Sequence, residues 1–110
     1  MNETSPYAWR IDKDNLFNPA WDGVVNEAGT VGPHDAPSTN RQVLAIHYPH
    51  HHQFRMYDDD GILYYTGTLY WSGDAEPDET YLYAPLADYG APNAGAVVIK
   101  YTDRPQWECG

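Results

Sequence analysis

The segment FRMYDDDGILYYTGTLYW, residues 54–71, constrains the fold more than any other part of the chain. Two runs rich in aromatic and β-branched residues flank three aspartates and a glycine, which is the composition of a β-hairpin. Two registers compete. A three-residue loop over 59–61 sets Met56 opposite Tyr64, whereas a two-residue Asp60-Gly61 turn sets Met56 opposite Tyr65. Only the second puts Phe54 and Met56 on the same face as Leu63, Tyr65, Leu69 and Trp71. A slip of one residue would turn that whole set to the other side, so the apolar pattern predicts the Asp60-Gly61 turn within a hairpin over 53–71. The opposite face carries Arg55, Tyr57, Ile62, Tyr64, Thr66, Thr68 and Tyr70. It is amphipathic, so another element covers it or a partner does.

Around this hairpin the chain reads as short elements. YAWRIDKD alternates as a first strand, with Trp9, Ile11 and Lys13 on one side and Ala8, Arg10 and Asp12 on the other. Residues 18–37 hold Asn18-Pro19, Asp22-Gly23, Gly29 and Gly32-Pro33, the punctuation of a long loop, with Val24, Val25 and Val31 as pins to the core. A short helix follows, with Thr39 and Gln42 as a capping box and Val43, Leu44, Ile46 and His47 as its inner stripe. Pro49 stops it at Tyr48. Residues 72–79 form a charged loop. APLADYGAPNAG is a brief helix with Pro85 in its first turn and Gly90 as the left-handed residue after it. A strand over 96–102 comes next, with Val97, Ile99 and Tyr101 facing inward, and Trp107 lies on an edge pairing or packs its ring. The fold class is α+β: residues 1–110 form one domain with a small antiparallel sheet of about four strands and one or two short helices.

Charge narrows the partners. Sixteen acids face six bases, a formal net charge of −10. Residues 1–56 hold six of the acids and four of the bases; residues 57–110 hold ten acids and only Lys100 and Arg104. Such a field repels a phosphate backbone and attracts a basic protein surface, so direct nucleic-acid binding is not expected. Cys109 is the single cysteine, which excludes an intrachain disulfide and fits a reducing compartment. The start MNETSPYAWR lacks a basic stretch followed by an apolar run, and no apolar run has the length of a bilayer span, so the expected location is the cytoplasm.

Each cluster with chemical potential has a plainer reading beside it. Asp58, Asp59 and Asp60 are consecutive, whereas a calcium loop alternates its acids and closes on a glutamate. Neighbouring carboxylates in a strand point to opposite faces, which does not suit a catalytic pair. Turn chemistry accounts for them, with acidic recognition as the functional alternative. His47, His50, His51 and His52 include common metal ligands. Pro49 separates His47 from His51, and only His50 and His52 share a face, so the run reads as an exposed loop before the hairpin. Neither a nucleophile frame nor a glycine-rich phosphate loop is present, and Cys109 lies one residue from the end. No catalytic residue, metal or cofactor is expected.

The hairpin segment, the later APLADYGAPNAGAVVIKY and the final QWE together resemble a family of small acidic proteins, mostly uncharacterised. They recur in bacteriophages and other mobile elements, often of actinobacteria. The resemblance spans residues 53–108 and rests on the Asp-Asp-Asp-Gly turn, the Tyr64-Tyr65 pair and Pro92-Asn93-Ala94-Gly95. It implies a mobile-element origin and interference with host machinery. The expected function is thus a non-enzymatic binder of the anti-restriction or anti-CRISPR type, acting on a basic surface of a host nucleic-acid enzyme by mimicry. Asp58, Asp59, Asp60, Asp74, Glu76, Asp78 and Glu79 would steer it, and Tyr57, Tyr64 and Tyr70 would anchor it. An intracellular structural or regulatory module, homodimeric through the open sheet face, is the alternative. A histidine-metal enzyme is the weakest reading.

Overall fold

A computed structural model describes residues 5–17, 20, 26–33, 36 and 39–110. Six strands form one antiparallel sheet: β1 (Tyr7–Asp14), β2 (Val31–Gly32), β3 (His50–Tyr57), β4 (Leu63–Trp71), β5 (Val98–Tyr101) and β6 (Arg104–Cys109). Their spatial order is β2-β1-β4-β3-β5-β6, so the hairpin β3-β4 lies at the centre. The α+β class holds, with two more strands than the sequence pattern predicts. The two additions are the edges: a two-residue β2 inside the expected loop, and β6 beyond Asp103. Val24 and Val25, with much of that 18–37 loop, lie outside the described residues.

The hairpin contains both competing registers. Along the strand body Met56 pairs with Tyr65 and Phe54 with Gly67, as the apolar pattern requires. At the tip Tyr57 pairs with Leu63, and a bulge at Tyr64 absorbs the difference. The two-residue turn is therefore replaced by a loop over 58–62. A tight Asp-Gly turn requires positive φ at both central residues. Here Gly61 alone adopts it, at φ 78°. Gly67 has a different task. A Cβ there would strike the Phe54 ring and the Arg10 carbonyl, so the glycine lets the central strands close over Phe54.

One face of the sheet packs on a helical run. This run starts with α2 (Glu79–Pro85), continues through a π-helical segment (Leu86–Gly90) and ends in α3 (Ala91–Ala94). It begins five residues before the expected helix because Asp78 caps it, its carboxylate accepting the Thr80 amide at 2.9 Å. Pro85 closes α2 rather than opening a helix. Having no N–H for the carbonyl four residues back, it precedes the wider π register, in which Ala91 N–H reaches the Leu86 carbonyl. Gly90 is helical and lets the run close on the Met56 sulfur. The left-handed cap is Gly95 at φ 77°, its N–H on the Ala91 carbonyl in the αL pattern, and Ala96 N–H reaches the Gly90 carbonyl. Leu82, Leu86 and Tyr89 thereby join Trp9, Ile11, Phe54, Met56, Leu69, Trp71, Ile99, Tyr101 and Trp107 in the main core. Val97, expected inside, is 46% exposed because β5 starts only at Val98.

Among the described residues, the other face is covered at one end. Helix α1 (Arg41–His47) sets Leu44, with the capping Tyr48 one turn on, over Ala8 and Tyr70. Asn40 caps α1 in place of Thr39, its Oδ1 accepting Gln42 N–H at 2.8 Å and Val43 N–H at 3.3 Å. A helix of two turns buries a single line of side chains. Leu44 lies on it, while Val43 and His47 stand exposed and Ile46 is 86% exposed.

Candidate functional site

The hairpin tip gathers the acids that the sequence singles out. Asp58 organises it. Its Oδ1 accepts the amides of Asp60 (2.9 Å) and Ile62 (2.8 Å), and its backbone pairs with Ile62 and Gly61. This is an Asx-type closure, so the turn reading of Asp58 is correct. The loop it locks brings one carboxylate oxygen each of Asp58, Asp59 and Asp60 within 4.8 Å of one another, with Asp59 and Asp60 exposed. Tyr64 borders them. Its hydroxyl pKa is raised, first by partial burial, then by the adjacent Asp58 carboxylate and the charges of Asp59 and Asp60. Ile62, 55% exposed in the same loop, adds an apolar contact beside the acids. The sequence reading did not count it, because strand alternation gave no sign that the bulge would leave it in the loop.

The remaining expected site residues are elsewhere. Asp74, Glu76, Asp78 and Glu79 follow the far end of β4, which at about 3.3 Å per residue stands some ~26 Å from the tip. They do not form one patch with Asp58–Asp60. Two of them also have structural tasks: Asp78 caps α2, and Glu76 accepts Trp107 Nε1 at 3.1 Å. Tyr70 is withdrawn as an anchor, since it is 2% exposed beneath Tyr48 and Leu44. Tyr57 is half-buried and lies under the Lys100 ammonium, 5.4 Å from its ring centre.

Three cations line up on one face of the sheet, in a row three residues before Asp58. A bulge at Asp12 turns Lys13 onto the same face as Arg10, against the simple alternation, and sets it beside Thr66. Thr66 is paired with Arg55, and Arg55 with Lys100. Lys13, Arg55 and Lys100 therefore stand in one cross-strand row on the open face of the sheet. Among the described residues the ion pairs are Arg10–Asp12 and a long, half-exposed Lys100–Glu108 contact at 3.8 Å. Neither involves the tip.

His50, His51 and His52 are strand residues of β3 rather than a loop, and His47 ends helix α1. His50 stacks on Trp71 and bonds the Gly73 carbonyl at 3.0 Å through Nε2, while His52 meets Trp107 edge-on and engages the Thr102 carbonyl. His51 faces the other way, towards Tyr70. Among the described residues the group of three ligand-type side chains that gathers is Asp58, Asp59 and Asp60. One oxygen from each falls short of the six to eight that a calcium ion takes, and Asp58 Oδ1 already serves two amides. Cys109 is held in β6, with its thiol raised in pKa by burial first and then by Glu79 and Glu108. Such a thiol is a poor nucleophile at neutral pH. No helix among the described residues is long and apolar enough to cross a membrane. No protein-family model, curated protein or solved structure gives a significant match to this chain.

Proposed function

We propose that the chain is a non-enzymatic acidic binding protein whose hairpin tip docks onto a basic protein surface that otherwise meets nucleic acid. The observation that carries this reading is the tip itself. One oxygen from each of three carboxylates lies within 4.8 Å of the others, on a loop closed by its own hydrogen bonds, without an ion pair among the described residues. Arginine forks bind such oxygens as they bind phosphate oxygens. Tyr64 and Ile62 supply the apolar border, and the acids of residues 74–79 add long-range field from the other end of the molecule. The narrower form, an inhibitor that a mobile element directs against a host nucleic-acid or defence enzyme in the cytoplasm, rests on the resemblance of residues 53–108. A homodimer joined through the open sheet face fares worse. A two-fold axis there would set the Lys13, Arg55 and Lys100 row against itself.

Capture from an actinobacterial extract tests the proposal, using wild type and the D59N/D60N variant as baits at low and high salt. A nucleic-acid-binding protein retained by wild type, released by salt and by added DNA, and lost with D59N/D60N supports it. A partner held equally by both baits and insensitive to salt contradicts it.

A further inference from the structure

A cleft of about 620 Å³ runs along α2, far from the tip, and small-molecule sites fall in that size range. Its floor and walls are apolar and aromatic, with Leu82, Ala84 and Ala87 along the helix, Tyr7 at one flank and Trp107 at the other. Tyr7 belongs to β1 and Trp107 to β6, strands separated by three others, so the cleft is elongated across the sheet. A carboxylate from the helical run stands towards each end. Asp88 accepts Tyr7 Oη at 3.3 Å and Trp9 Nε1 at 3.1 Å, two neutral donors that orient it and leave its charge unbalanced. Glu79 lies beside the Cys109 thiol, whose pKa it raises. Nine residues of helix separate the two, or about 13 Å at 1.5 Å per residue. Among the described residues no lysine, arginine or histidine lines the cleft, and Glu108, at its edge, has Lys100 at 3.8 Å.

We infer that this cleft binds a linear aliphatic polyamine, with one ammonium near Asp88, the other near Glu79, and the methylene chain over Ala84 and Ala87. The match is one of charge and shape. Two anions stand at backbone positions about 13 Å apart along the helical run, with an apolar strip between them. This site is distinct from the hairpin tip: it contains none of Asp58, Asp59, Asp60, Ile62 and Tyr64, and it shares only Glu79 with the acids that add long-range field.

Calorimetric titration with spermidine tests it. Saturable one-to-one binding at sub-millimolar concentration is expected. E79Q and D88N should each weaken it about threefold to fivefold, the worth of one partly exposed ion pair. A87K, on an exposed helix position, puts an ammonium in mid-cleft and should weaken it at least about tenfold. D59N/D60N should leave it unchanged. Four results would overturn the assignment: no saturable heat, equal binding of butylamine, equal weakening by D59N/D60N, or tighter binding of a tri-arginine peptide in competition with spermidine.

Discussion

Asp58 and its two neighbours look equivalent in sequence and are not equivalent in space. Asp58 spends its carboxylate on two amides, while Asp59 and Asp60 face solvent. Replacing Asp58 with alanine is therefore expected to cost about 1–2 kcal/mol, read as a lower urea midpoint, because charge-assisted bonds to backbone are lost. D59N/D60N should leave that midpoint unchanged or raise it slightly, since only mutual repulsion is relieved. Turn chemistry made Asp58 legible as a structural residue. It did not reveal that Gly61 alone would take the left-handed conformation and so lengthen the loop. Tyr70 was misread for a related reason: alternation assigns a face but does not say which part of that face a two-turn helix will cover.

At the level of elements, the hairpin and its apolar register were readable because one face had to be buried, and burial specifies register strongly. Gly67 is where that register is tightest. Gly67→Ala should destabilise the protein by about 1–3 kcal/mol, the cost of overpacking against Phe54 and the Arg10 carbonyl, measured by thermal or denaturant unfolding. The helical run was half readable. Gly95 and Pro85 carry clear local meaning, but the start at Asp78 was hidden by an acidic stretch that reads equally well as a loop. Its cap gives a second check: Asp78→Ala should lower stability by about 1 kcal/mol, while Asp78→Asn, which still accepts the Thr80 amide, should change it little. The edge strands β2 and β6 were the least legible. Short edges have little burial to mark them, and β2 comprises only two residues.

The whole molecule is an acidic body whose charges are sorted by the fold rather than spread over it, and that sorting is invisible in composition. The bulge at Asp12 that brings Lys13 into line with Arg55 and Lys100 has no single-residue signature. The tyrosines set the alkaline limit of stability. Tyr101 donates to the Leu82 carbonyl at 2.8 Å, and burial raises its pKa well above 10; Tyr65, Tyr70 and Tyr89 are raised as well, burial being the first cause in each. The unfolded chain ionises these hydroxyls near their ordinary pKa of about 10, and the folded chain only at higher pH. Their contribution is thus fully present below pH 10 and is lost as pH climbs towards the folded values. Thermal midpoints should fall steeply above pH 10, and Tyr101→Phe should flatten that fall while costing about 1 kcal/mol at pH 7. The central claim is that the exposed tip carboxylates are the contact. The most direct test is the affinity for the captured basic partner as a function of salt, for wild type and D59N/D60N. The account predicts at least about a tenfold loss and a shallower salt slope, by about one for each charge removed, with thermal midpoint unchanged. Parallel salt dependences of equal affinity would contradict it.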